Sequence, residues 1–166
     1  MRYKYRMEAS GNIIIEPVHE EDDLTAAMKQ TVIRTKKDGY ILTYSGIFTE
    51  SKLEAANRKG HWKEYVAERD GFDFENPRLR MLFSILPLIL KKSDRKSIYS
   101  YHGKHVVEKL FKHSYISNGE FILVCLTLGY KYKYCANSPN CDIYGLWVDT
   151  IPPMNVDRLL RYSFPY

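Results

Sequence analysis

No apolar run in this chain approaches the ~20 residues needed to cross a bilayer. The longest uninterrupted stretches are Ile85 to Leu90 and Phe121 to Leu126, which excludes a transmembrane helix. The basic opening, Met1 to Arg6, leads only to Ile13-Ile14-Ile15 before Glu16. That is too little for the apolar centre of a secretory signal, so an intracellular location and no membrane partner are expected. Cysteine is scarce as well: Cys125, Cys135 and Cys141 are the full set, and this odd, sparse complement suits reduced thiols rather than a disulfide scaffold. Cys135 and Cys141 lack the close pairing of a zinc ribbon or finger, although they could face each other across a hairpin. The chain also lacks a phosphate loop, a dinucleotide fingerprint and a glycine-framed nucleophile elbow. Solenoid repeats and low-complexity segments are missing too. These absences point away from an enzyme and leave no metal or cofactor to expect.

What is present suits one domain spanning residues 1–166, since this length is close to the modal size of a single core. Hydrophobic residues at 45% and charged residues at 27% give an ordinary globular balance, which excludes a disordered tail. The net charge is only +5, but it is unevenly placed. Between residues 91 and 112 lie Lys91, Lys92, Arg95, Lys96, Lys104, Lys109 and Lys112 against Asp94 and Glu108, seven cations to two carboxylates. That local surplus equals the surplus of the whole chain, so an anionic partner belongs here if anywhere.

Periodicity divides the chain into short alternating elements. Residues 2–6 and 12–18 read as two strands around Ser10-Gly11-Asn12. Acids at 20–23 and cations at 34–37 before Gly39 mark a helix from Asp22 to Lys37. Tyr40 to Phe48 is strand-like, and Ser51 with Glu54 forms a capping box for a helix to Arg69, packed through Leu53, Trp62 and Val66. Asn76-Pro77 should open a buried helix over Leu79 to Leu90, kinked by Pro87. Ser93 to Ser97 reads as a loop, Ser100 as the cap of a helix to His113, and Ser117-Asn-Gly-Glu120 as a second capping box before Phe121 to Leu128. Gly129 should end that helix, and Tyr130–Cys135 with Cys141–Val148 should form a hairpin. A short helix is expected from Asn155. The implied fold class is α+β, helices packed on a small, mostly antiparallel sheet.

Several constellations could carry chemistry. Helices on either side of residues 114–116 invite a helix-turn-helix reading, but Phe121 to Leu126 offers almost no polar group to a base edge. The preceding helix is the better contact surface, with Val106, Val107, Leu110 and Phe111 inward and Lys104, His105, Lys109 and Lys112 outward. Tyr3-Lys4-Tyr5 and Tyr130 to Tyr134 alternate ring and cation. A single-stranded nucleic-acid platform needs that pattern, yet a half-buried strand gives it too, and burial of most of the 130–134 row is expected, with Lys131 and Lys133 in water. His102, His105 and Glu108 share one arc of a helix without the spacing of a two-histidine zinc motif. Asp70, Asp73 and Glu75 lack calcium-loop spacing and read as a solvated turn.

Ser100-Tyr101, Lys104-His105, Glu108, Tyr115 to Ile122, Gly129-Tyr130 and Asn137-Ser-Pro-Asn140 together resemble a pattern in small uncharacterised proteins of phages and large DNA viruses. The resemblance is confined to residues 100–140 and implies a viral or mobile-element origin, in host cytoplasm or virion, with a shared fold and no activity to carry over. The leading expectation is therefore a non-enzymatic accessory protein binding nucleic acid through Lys91, Lys92, Arg95, Lys96, Lys104, Lys109 and Lys112. The alternative is a viral assembly protein with a protein partner on its tyrosine-rich surfaces. An enzyme built on His102, His105 and Glu108 comes third.

Overall fold

The computed structural model describes residues 2–7, 13–18, 23–52, 55, 72–111, 115–136 and 138–148. Strands β1 (Arg2–Met7) and β2 (Ile13–Val18) pair antiparallel, Tyr5 opposite Ile15, as the sequence predicts. Helix α1 follows at Asp23–Lys37, with Asp23 in its first turn and Arg34, Lys36 and Lys37 in its last, so both ends complement the helix dipole. It buries Thr25, Met28, Thr31 and Thr35, one stripe at spacings of three and four. Thr31 and Thr35 return their hydroxyls to the carbonyls of Ala27 and Thr31, which lets two polar side chains enter the core satisfied.

The predicted single strand over Tyr40 to Phe48 is two strands. β3 (Tyr40–Thr43) and β4 (Gly46–Thr49) form a tight hairpin around Tyr44-Ser45, a turn that strand propensity alone does not reveal. Residues 50–52 are already helical, so Ser51 sits inside a helical turn rather than capping one. Leu53, Trp62, Val66, Asp70 and the helix expected from Asn155 lie outside the described residues.

Helix α2 (Pro77–Ile89) starts as expected, with the Asn76 side chain accepting from Arg78 N at 3.0 Å and proline at the first helical position. Leu79, Met81, Leu82, Ile85, Leu86 and Ile89 are buried, and helical structure continues through Pro87. The chain passes directly into β5 (Leu90–Lys92), crosses the loop at Ser93–Ser97 and enters β6 (Ile98–Tyr99) and helix α3 (Ser100–Leu110). Ser100 does not cap α3: Tyr99 holds the cap position without a side-chain bond, and the Ser100 hydroxyl accepts from Cys141 N at 3.1 Å.

Helix α4 (Asn118–Thr127) is the hub, with residues 118–126 all buried and α1, α2 and α3 packed around it. Each buried Leu, Ile, Val or Phe there contributes about 1.5 to 3 kcal/mol by leaving water, so this one helix supplies a large part of the hydrophobic stabilisation. Both halves of its capping box form: Ser117 Oγ accepts from Glu120 N at 3.0 Å, and Glu120 accepts from Ser117 N at 2.8 Å. Gly119 lets the helix start against the β3–β4 turn, because a Cβ there would lie 1.8 Å from the Thr43 carbonyl oxygen. Gly129, at φ 80°, ends the element where the sequence places its end.

Strand β7 (Tyr132–Tyr134) pairs with β8 (Cys141–Ile143) as the predicted hairpin, and β6 adds to the other edge of β8. The run predicted to continue to Val148 changes sheets. β9 (Gly145–Trp147) pairs with β5, Lys91 opposite Leu146, because the chain after α2 offers it a second edge. The described residues thus form an α+β fold with small antiparallel sheets around a buried helix.

Candidate nucleic-acid interface

The cations predicted to act together fall into two settings. Leu90 is buried, and the next two residues of β5, Lys91 and Lys92, face solvent. The following loop is an ordered turn rather than a slack tether: Ser93 N donates to Tyr144 O at 3.2 Å, and Ser93 Oγ accepts from Arg95 N at 3.2 Å and Lys96 N at 2.9 Å. Arg95 and Lys96 are held exposed on it. Lys91 Nζ reaches the Pro87 carbonyl at 3.3 Å. Lys92 Nζ lies 5.6 Å from the centre of the Tyr130 ring, whose hydroxyl donates to Leu90 O. Among the described residues no carboxylate pairs with Lys91, Lys92, Arg95 or Lys96; Asp94, the acid within the loop, is bound to Lys131 at 2.5 Å instead. That bond holds the Asp94 carboxyl below its ordinary value and the Lys131 amine above its own, and it brings a further cation to the edge of the loop.

Lys104 corrects the expected grouping. It is 5% exposed, its amine donating to Glu108 Oε1 at 3.1 Å and to Ile116 O at 3.3 Å. Glu108 lies one helical turn further along α3, and Ile116 leads into α4, so the lysine ties the two helices together from inside. Lys109 is exposed on α3, and Lys112 lies outside the described residues. Val107 and Phe111 turn inward as expected, with Val106 and Leu110 half-buried.

His102, His105 and Glu108 do not converge. His102 is exposed, while Glu108 spends both oxygens on its neighbours: Oε1 on Lys104 and Ile116 N (3.1 Å), and Oε2 on His105 Nδ1 (2.6 Å). Burial raises the Glu108 pKa, but the Ile116 N–H, Lys104 and His105 outweigh it, and the carboxyl titrates below its ordinary value. Among the described residues no three His, Cys, Asp or Glu side chains gather as metal ligands would.

The tyrosine row turns inward. Tyr130 is buried, Tyr132 and Tyr134 are half-buried against Tyr40 at ring separations of 6.0 and 5.0 Å, and Lys131 and Lys133 are exposed. Burial pushes the Tyr132 hydroxyl up to about 12. The helix-turn-helix geometry has no reading face, since α4 is enclosed. Cys125, Cys135 and Cys141 are free thiols; the register sets Cys141 opposite Tyr134, and burial pushes its thiol up to about 12.

Asn118 and Asn140 tie α4, the β3–β4 turn, Pro139 and Tyr99 into one polar knot. Asn118 Nδ2 donates to Ser45 O, Pro139 O and Asn140 Oδ1 at 3.3, 3.2 and 3.0 Å, and Asn140 Nδ2 donates to Tyr99 Oη at 2.7 Å. Together with the capping box and the Lys104–Glu108 pair, these bonds hold α3, α4 and the segment at Pro139 and Asn140 in register. The roles are structural, and the spacing of Lys104 and Glu108 was the available sign that this lysine has an internal partner. The approach of Lys131 to Asp94 is not legible in the sequence, because it depends on the pairing of distant strands.

Fold and surface together define an α+β protein that displays an ordered basic segment beside a neutral polar knot. No family model, curated protein or solved structure matches this chain. No helix among the described residues is long and apolar enough to cross a membrane.

Proposed function

We propose that this is a non-enzymatic accessory protein of a virus or mobile element, acting in host cytoplasm or virion, that binds nucleic acid through Lys91, Lys92, Arg95 and Lys96. The observation that carries the reading is the ordered display of these four exposed cations on β5 and its turn, with Asp94 already engaged by Lys131. Fixed ammonium and guanidinium groups meet phosphates by releasing condensed counterions, so affinity depends on how many are neutralised and falls with salt. Lys109 can add a contact from α3, whereas Lys104 is occupied internally. An assembly contact through the 130–134 row has less support, because those rings are spent on the core.

The test is a salt titration of binding to a labelled oligonucleotide. Replacing Lys91, Lys92, Arg95 and Lys96 together by glutamine is expected to flatten the slope by about 3 to 4 log units per log unit of salt. An unchanged slope removes this surface from the function.

A further inference from the structure

Five large hydrophobic or aromatic side chains are exposed among the described residues: Ile33, Tyr99, Tyr101, Tyr115 and Leu146. Ile33 and Leu146 lie on separate elements, whereas the tyrosines belong to α3 and the segments that meet it. Tyr101 and Tyr115 are the most open, at 49% and 56%, and both are anchored on one group. Lys104 Nζ lies 5.2 Å from the Tyr101 ring centre and 4.9 Å from that of Tyr115, while Glu108 and Ile116 O fix the amine from below. Each ring has a further neighbour: His105 stands edge-on to Tyr101 at 4.6 Å, and Tyr44 lies 6.5 Å from Tyr115. Arg78 donates to the Tyr115 carbonyl at 2.9 Å and so fixes the backbone that carries the second ring.

We infer that Tyr101 and Tyr115 are a base-stacking site for single-stranded nucleic acid. The inference rests on the phosphate-binding reading above and adds which form of nucleic acid is bound. Half-exposed rings are ordinarily free to rotate and lose entropy when a partner orders them. Here the cation between them has done the ordering, so outer ring faces are presented ready for a flat partner. Bases offer such a face whatever their sequence, and only unpaired ones offer it freely. The supporting arrangement is continuity. The basic turn ends at Lys96, β6 follows at once, and Tyr101 is in the first turn of α3, at most about 17 Å of extended chain away. A strand whose phosphates meet the turn therefore has rings within a few nucleotides. Duplex, with its bases stacked on one another, can use the cations and not the rings.

The test uses the full chain, a labelled oligothymidylate and a duplex of matched length. Tyr101→Ala and Tyr115→Ala are each expected to weaken oligothymidylate binding about 5- to 150-fold, leaving the salt slope and duplex binding unchanged. Tyr101→Phe and Tyr115→Phe retain the ring and should bind as the parent does, which separates stacking from loss of a hydroxyl. Circular dichroism of every variant checks the fold, and the phenylalanine pair keeps the test decisive should an alanine variant misfold, since weakened binding by folded Phe variants overturns stacking. Parent-like binding by folded alanine variants overturns it as well. So does loss of self-association by sedimentation, or of binding to a proline-rich peptide, with oligothymidylate affinity intact; those results reassign the rings to a protein contact. If the parent binds duplex but not oligothymidylate, the stacking site falls and the phosphate surface stands. If it binds neither, both fall.

Discussion

Lys92 and Lys104 belong to the same basic run, yet one lies open to solvent over the Tyr130 ring and the other is enclosed between α3 and the entry to α4. The difference follows from the neighbours each position meets. Lys92 ends a strand that pairs with β9 along its whole length, Lys92 itself opposite Gly145, and its side chain is exposed. Lys104 has Glu108 one turn away and the Ile116 carbonyl within hydrogen-bond reach, so its charge is matched inside the fold. Counting cations along a run therefore measures composition and not surface. A lysine with a carboxylate at helical spacing, on a face that another helix covers, is a brace rather than a phosphate contact.

The largest expected effect tests that contrast directly. Lys104→Ala removes a cation from the mostly buried Glu108 carboxylate, which keeps the Ile116 N–H and His105, and empties the space between α3 and the entry to α4, so a loss at the upper end of about 1 to 3 kcal/mol or a little more is expected. Lys91→Ala, on the open side, should stay within about 0.5 kcal/mol. Chemical denaturation of the two variants is the measurement, and equal costs would erase the distinction between the halves of the run. Next comes Gly119→Ala. Its Cβ would collide with the Thr43 carbonyl, which belongs to backbone and cannot rotate aside, so a loss toward the upper end of about 1 to 3 kcal/mol is expected. A thermal melt matching the parent would show that the knot yields where it is drawn tightest.

A smaller effect concerns acid. The Glu108 pKa lies below its ordinary value in the folded chain, so the unfolded state binds its proton first as pH falls. The resulting stabilisation is present above the unfolded carboxyl's titration and is lost as pH falls through the lowered folded value. Denaturation midpoints measured across the acid range should fall less steeply for Glu108→Gln than for the parent. Parallel curves would place the acid sensitivity outside the knot.

Where local chemistry decides structure, the residues announce it. Asp23 and Lys37 at opposite ends of α1, Asn76-Pro77, the Ser117–Glu120 box and Gly129 all act within one turn of chain, and each element begins or ends beside them. Where a distant partner decides, they do not. Ser100 resembles a cap until Cys141 N is found above it, Tyr40 to Phe48 resembles one strand until α4 docks against its turn, and Cys141 to Val148 divides because β5 and β7 lie on different sides of it. The exposure of the cations was legible at 91–96, two at the end of β5 and two on the short turn that follows. It was misjudged at Lys104, whose internal role depends on α4. Tyr101 and Tyr115 stand in the sequence as separate residues, and their pairing is not legible there because the group between them is that same buried lysine.

The smallest perturbation sharpens the open half of the comparison. Asp94 is the acid inside the basic turn, and its bond to Lys131 joins two side chains that are both largely in water. Such a pair adds little to stability, so Asp94→Asn should leave the denaturation midpoint where it is. Its effect on binding is different in kind. In the parent, Asp94 and Lys131 cancel each other's charge beside Lys92 and Arg95; in the variant, Lys131 is released at the edge of the same surface. If that surface carries phosphates, one more cation can neutralise one more of them, and the slope of log affinity against log salt should steepen by about 0.7 on a single strand and about 0.9 on duplex. The same substitution in a chain already lacking Lys91, Lys92, Arg95 and Lys96 should not restore the parent slope, since one lysine cannot replace four. Salt titrations of the single and combined variants measure both. A steeper slope in the single variant would extend the interface from the turn to β7's leading edge, and an unchanged one would confine it to residues 91–96.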